Sequence, residues 1–151
     1  AEFAVESIRR WWHRMGRRAY PQAREVLITA DGGGSNGSRV RLWKTPLHTL
    51  AQELAMPLHV RHFPPGTSKW NKIEHRMFCH VTENWRAHPL LDYVTIIKLI
   101  SNSGTGRGLS IQAEIDSAFY ETGKEVSDEA LAAINIERCD FHGDWNYSIQ
   151  P

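Results

Sequence analysis

Two short β-branched runs with a helix's length of chain between them leave few folds open. "EVLITAD" (25–31) and "LHVRHF" (58–63) have the length and composition of strands. Between them, "SRVRLWKTPLHTLAQELA" (38–55) places Val40, Trp43, Leu47, Leu50 and Leu54 at helical spacing, with Pro46 expected to kink or restart the helix. A connection of this kind calls for parallel strands joined by a right-handed crossover. The first run is apolar enough to predict a buried strand. Ligands of open parallel sheets gather beyond the carboxyl ends of the strands. There Asp31 closes the first strand and enters the glycine loop "GGGSNG", and the second strand breaks at Pro64-Pro65 into the loop that leads to Glu74. The expectation is an α/β fold with Asp31 and Glu74 on one side of the sheet.

The remaining segments fit around that unit. Phe3, Ala4, Ser7, Ile8, Trp11, Trp12 and Met15 predict a helix over 1–18, ended by Tyr20-Pro21, with Arg9, Arg10, Arg14, Arg17 and Arg18 largely on its other arc. Helices are expected over 71–86, 92–103 and 127–135, and "GLSIQAEID" (108–116) has strand character. The tail "CDFHGDWNYSIQP" shows no clear period. At 151 residues, 41% hydrophobic and 23% charged, the chain suits one ordinary domain, and no apolar run approaches the roughly 18 residues of a membrane helix. Its opening in mid-pattern at Ala1 reads as the C-terminal portion of something longer.

Two cysteines give no disulfide framework, which fits reduced thiols in a cytosolic setting. A zinc site from Cys79, His80, Cys139 and His142 is disfavoured by the adjacency of Cys and His. Net charge is +1, but residues 1–86 carry 14 Lys and Arg against 7 Asp and Glu, while residues 87–151 carry 4 against 10. Such a split suggests a surface facing a polyanion, although solvated helix faces give the same counts.

Two carboxylates at such a sheet edge, on basic surroundings, suit Mg²⁺ or Mn²⁺, hard ions that take few protein carboxylates and share phosphate oxygens. A pair of ions about 4 Å apart activates a hydroxyl and stabilises the leaving oxygen of a phosphodiester. Plainer roles compete. Asp31-Gly32 is a turn dipeptide. Asn71-x-x-Glu74 has the form of a capping box. "DGGGSNG" lacks the Lys-Ser/Thr of a P-loop, and its glycines more simply keep side chains away from Asp31. Asn36 and Ser38 suit caps for the next helix.

"VLITADGGGSNGSRVRLWK" (26–44), "HFPPGTSKWNKIEHRMF" (62–78) and "FHGDWNYSI" (141–149) resemble the Rhodopirellula-type transposase DDE domain, a family of bacterial insertion-sequence transposases. More distantly, "PPGTSKWNKIE" is similar to the Pro-rich loop of mariner-like transposases. The resemblance implies a ribonuclease-H-like fold and an Asp-Asp-Glu triad that binds Mg²⁺ or Mn²⁺ and cuts and joins DNA. By motif, Asp31 matches the second acid and Glu74 the third. Glu2 and Glu6 lie on the opening helix and do not suit the first.

The expectation is therefore a partial ribonuclease-H-like fold, parallel strands with crossover helices lacking the first three strands, and inactive alone. It would be cytoplasmic and nucleoid-associated. The bared edge of the 25–31 strand, or the opening helix, would make a homo-oligomer. DNA contacts are expected from Arg39, Arg41, Lys69, Trp70, Lys72 and Arg76, Trp70 either stacking on an unpaired base or plugging the loop against the sheet. Arg9, Arg10, Arg14, Arg17 and Arg18 would touch DNA elsewhere or stay solvated, and His62 and His75 flank the site, either supporting it or, more simply, as ordinary surface histidines. A ribonuclease-H-like nuclease without strand transfer, or a non-catalytic DNA-binding or assembly module, are the alternatives.

Overall fold

The computed structural model describes residues 1–106 and 108–151, with the side chains of Ser68 and Glu74 outside that description. In chain order the elements are α1 (Glu2–Trp11), a π-helical turn (Trp12–Gly16), α2 (Arg17–Ala19), β1 (Val26–Ala30), α3 (Arg41–Leu54), β2 (Leu58–His62), a π-helical turn (Glu74–Phe78), α4 (Cys79–Trp85), α5 (Tyr93–Ser101), α6 (Asp128–Ala132), β3 (Ile136–Arg138) and β4 (Asn146–Ile149). They form two compact units, Ala1–Ser68 with Tyr120–Pro151, and Lys69–Phe119.

The first unit is built on a four-stranded sheet of order β1-β2-β4-β3. β1 and β2 are parallel, Val26 opposite Leu58 and Ala30 opposite His62, with α3 as the crossover between them. β4 runs antiparallel to β2 and to β3, so the sheet is mixed rather than wholly parallel as expected. The alternation in β2 sends Leu58, Val60 and His62 inward. Leu58 and Val60 join Tyr147 and Ile149 of β4, Trp43, Leu47, Leu50 and Ala51 of α3, Val5 of α1, and Ile134 in one core.

Several expectations are corrected. β1 is not buried on both faces: Val26 and Ile28 pack against the core, while Leu27, which points to the opposite face, is 64% exposed. The opening helix widens into a π turn where Trp11 and Trp12 crowd Gly16; a Cβ there would lie 2.8 Å from the Trp12 ring. α3 runs through Pro46 without restarting.

Residues 108–116 form no strand among the described residues: alternation supplies an apolar face but no backbone partner, and the local bonds there are turns such as Gly108 N–H to Thr105 O. The tail, which showed no period, supplies β3 and β4. Among the described residues, no helix is long and apolar enough to cross a membrane.

Candidate functional site

The carboxyl ends of β1 and β2 come together as the crossover requires. Beyond the last paired residues, Phe63 N–H donates to Ala30 O at 2.8 Å, so the two strands diverge only past that bond, at Asp31 and Pro64. Asp31 is exposed there, and among the described residues its carboxylate has no hydrogen bond or ion pair. It is not spent on an Asx turn, the plainer role open to it.

The glycine loop follows as a single 3₁₀ turn, Gly34–Asn36, before the chain enters α3. Two glycines are needed by close approach: a Cβ on Gly32 would sit 2.7 Å from Phe63 O, and one on Gly37 would sit 3.1 Å from Gly32 O. The side chain of neither Asn36 nor Ser38 caps α3, which starts at Arg41 with no side-chain cap bond.

Behind the loop lies a buried polar cluster that sequence reasoning missed. His62, 6% exposed, places Nδ1 3.1 Å from the backbone oxygen of Asp31 and Nε2 3.3 Å from Tyr147 Oη. Burial lowers the His62 pKa, opposed by the bond to Asp31 O and aided by the nearby Lys44 charge. Burial likewise pushes the Tyr147 hydroxyl up to about 12; the Trp43 indole N–H pulls the other way, though it falls outside good hydrogen-bond geometry.

Lys44 is buried too. It donates to Ser38 O and stands 5.6 Å from the Tyr147 ring centroid, within cation–π range. Its pKa is lowered, by burial first and then by Arg138, with Asp144 opposing. In the sequence His62 was placed only as flanking the site, and Tyr147 entered only within the "FHGDWNYSI" resemblance.

Of the expected DNA-contacting residues in this unit, Arg39 is exposed. Arg41 is exposed as well but pairs with Asp128 Oδ1 at 2.6 Å and donates to Val126 O at 3.2 Å, so some of its charge is already answered at the start of α6.

The second unit carries the other group. Lys69 and Trp70 end a 3₁₀ turn, Ser68–Trp70, and Lys69, Lys72 and Arg76 are exposed. Trp70 is 59% exposed, which removes its reading as a buried plug. Asn71 Oδ1 accepts from Ile73 N–H at 3.4 Å, a local turn bond two residues on rather than the three-residue bond of a capping box. His75 Nε2 contacts Lys69 O at 3.3 Å and is thus tied to the preceding 3₁₀ turn. The carboxylate of Glu74, the second expected ligand, lies outside the described side chains.

The donor chemistry of Asp31 fits a hard divalent cation: an exposed, uncommitted carboxylate beside Gly33 and Gly34, where a Cβ would meet nothing within 4 Å. Among the described residues no group of three or more His, Cys, Asp or Glu side chains converges, the Cys79, His80, Cys139 and His142 set included. Both cysteines are free thiols.

A family model described as the Rhodopirellula transposase DDE domain matches residues 1–151, the whole chain. No curated protein and no solved structure matches it.

Proposed function

We propose, from the premise that this chain belongs to the Rhodopirellula transposase DDE domain family, that it carries metal-binding acids of a DNA cleavage and joining centre in Asp31 and Glu74. A transposase-family function and DNA as partner follow from the membership itself. One observation carries the finer reading. The only acid at the carboxyl edge of the parallel pair, among the described residues, is exposed, uncommitted and followed by glycines that leave space for a ligand.

In this reading Asp31 is a ligand fixed by a strand end, and Glu74 is one brought by the turn that opens its helix. Bound Mg²⁺ or Mn²⁺ would activate the attacking hydroxyl and neutralise phosphate charge. The chain's own residues position DNA. Arg39, Lys69, Lys72 and Arg76 neutralise phosphates, Arg41 does so in competition with Asp128, and exposed Trp70 offers a face on which a base can stack. A ribonuclease-H-like core belongs to the proposal, as does self-association through the margin of β1 or the opening helix, supported by the exposure of Leu27 beside an apolar cleft lined by Trp11, Trp12 and Tyr20.

The deciding experiment is an Mn²⁺ titration of the ¹⁵N-labelled chain. Paramagnetic broadening centred on Asp31 and Glu74, abolished by Asp31→Ala, is the expected result. Broadening that ignores both acids would leave a DNA-binding or assembly module. DNA affinity should fall with salt, and Lys72→Ala should lower the log–log slope by about 0.9, the share of one phosphate contact. A monomer mass at micromolar concentration would remove the self-association.

A further inference from the structure

We infer that Tyr147 is a positioning residue for Asp31, acting through the buried His62 imidazole to hold the Asp31 carbonyl and so aim its carboxylate. This rests on the metal-ligand reading of Asp31 above. The direction of the hydrogen-bond chain is set by its last member. A carbonyl oxygen only accepts, so His62 Nδ1, 3.1 Å from Asp31 O, bears the proton. A neutral imidazole then presents a bare Nε2, and the Tyr147 hydroxyl 3.3 Å away is its donor. Both side chains are shut from solvent, Tyr147 at 1% and His62 at 6%, so water does not readily replace either bond.

Strand pairing puts the two residues together. Tyr147 lies opposite Val60, and His62 N–H donates to Trp145 O at 2.9 Å, which makes Tyr147 and His62 diagonal neighbours on the inner face. The hold matters because Asp31 opens onto Gly32, where no side chain stiffens the peptide. Among the described residues, His62 is the side chain that grips Asp31's backbone. A residue near the far end of the sequence thus sets the orientation of the acid.

The test uses the whole ¹⁵N-labelled chain. Long-range ¹H–¹⁵N spectra of the wild type should show His62 as the Nδ1–H tautomer. Tyr147→Phe should move the Gly32 amide resonance, whose nitrogen shares a peptide group with the Asp31 carbonyl. It should also weaken Mn²⁺ binding roughly two- to tenfold, the fold-change of one neutral hydrogen bond. His62→Asn keeps a donor near the Nδ1 position but ends short of the tyrosine, so in that background Tyr147→Phe should change nothing further, which a merely structural effect would not obey. An Nε2–H tautomer in the wild type, or an unmoved Gly32 resonance and unchanged Mn²⁺ affinity in Tyr147→Phe while Asp31→Ala abolishes binding, overturns the inference alone. Equal Mn²⁺ binding by the wild type and Asp31→Ala overturns the ligand reading of Asp31 and this role with it.

Discussion

The sheet edge around Asp31 and the unit Lys69–Phe119 are held in opposite ways. The first is fixed by residues remote in the chain: Leu47, Leu58, Val60, Tyr147 and Ile149 are essentially buried, and one side-chain hydrogen bond there spans 85 positions. The second is held by bonds of shorter span, such as the Asp92 cap on Thr95, three positions on, and the Asn84 amide on Ser103 Oγ at 3.0 Å, 19 positions on. Its apolar helix "YVTIIKLIS" has no buried residue, and Leu91 and Tyr93 are 85% and 75% exposed. Local stability follows buried apolar contact, so the two should open at different free energies. One presents an acid on a fixed frame, and the other presents Lys69, Trp70, Lys72 and Arg76 on locally tied turns.

The most direct way to break this contrast is a pair of leucines. Leu47→Ala empties a wholly buried site and should cost about 2–5 kcal/mol in denaturant unfolding. Leu91→Ala should stay within about 0.5 kcal/mol. Comparable losses would show that the second unit carries a core after all.

Two glycines sharpen the same point at finer scale. Gly32→Ala drives a Cβ against the Phe63 carbonyl, a backbone atom with little freedom, and should cost about 1–3 kcal/mol while shifting the Asp31 resonances. Gly33→Ala meets nothing within 4 Å, and its φ of −119° suits any residue, so it should be close to neutral. Equal effects would mean the edge is looser than its contacts indicate.

A gain is expected on the fixed side. Ala55 ends α3 in the left-handed region, φ 50°, and is exposed, so nothing rewards its Cβ. Ala55→Gly relieves that strain and should stabilise the protein by about 1 kcal/mol, read as a higher melting temperature.

What could be read in advance divides along physical lines. The crossover was legible because "EVLITAD" and "LHVRHF" flank a helical period, and this alone put Asp31 at the strand ends. β4 was not, because four residues give Tyr147 and Ile149 too short an alternation to stand out, and their strand exists only by pairing with β2. The reverse error came at Leu109, Ile111, Ala113 and Ile115, where a clear alternation met no partner. His62 was placed beside the site, but its bond to Asp31 O depends on Tyr147 arriving from the far end of the chain, which no local pattern encodes.

The smallest expected effect belongs to the locally held side. Asp92 caps α5, its Oδ1 accepting from Thr95 N–H at 2.7 Å and its Oδ2 from Thr95 Oγ1–H at 3.2 Å. The Thr95 amide, followed by the Thr95 hydroxyl, holds the Asp92 pKa below its ordinary value. A carboxyl depressed in the folded state contributes stability that is fully present above its unfolded pKa, about 3.9, and is lost as pH falls through the folded value. Amide exchange in the first turn of α5 should therefore quicken below about pH 4, while Val60 and Tyr147 in the sheet remain protected under the same conditions. The exposed position screens the effect, so it should be confined to that turn. Simultaneous loss of protection in the sheet and in α5 would show that the two regions open together and remove the distinction between them.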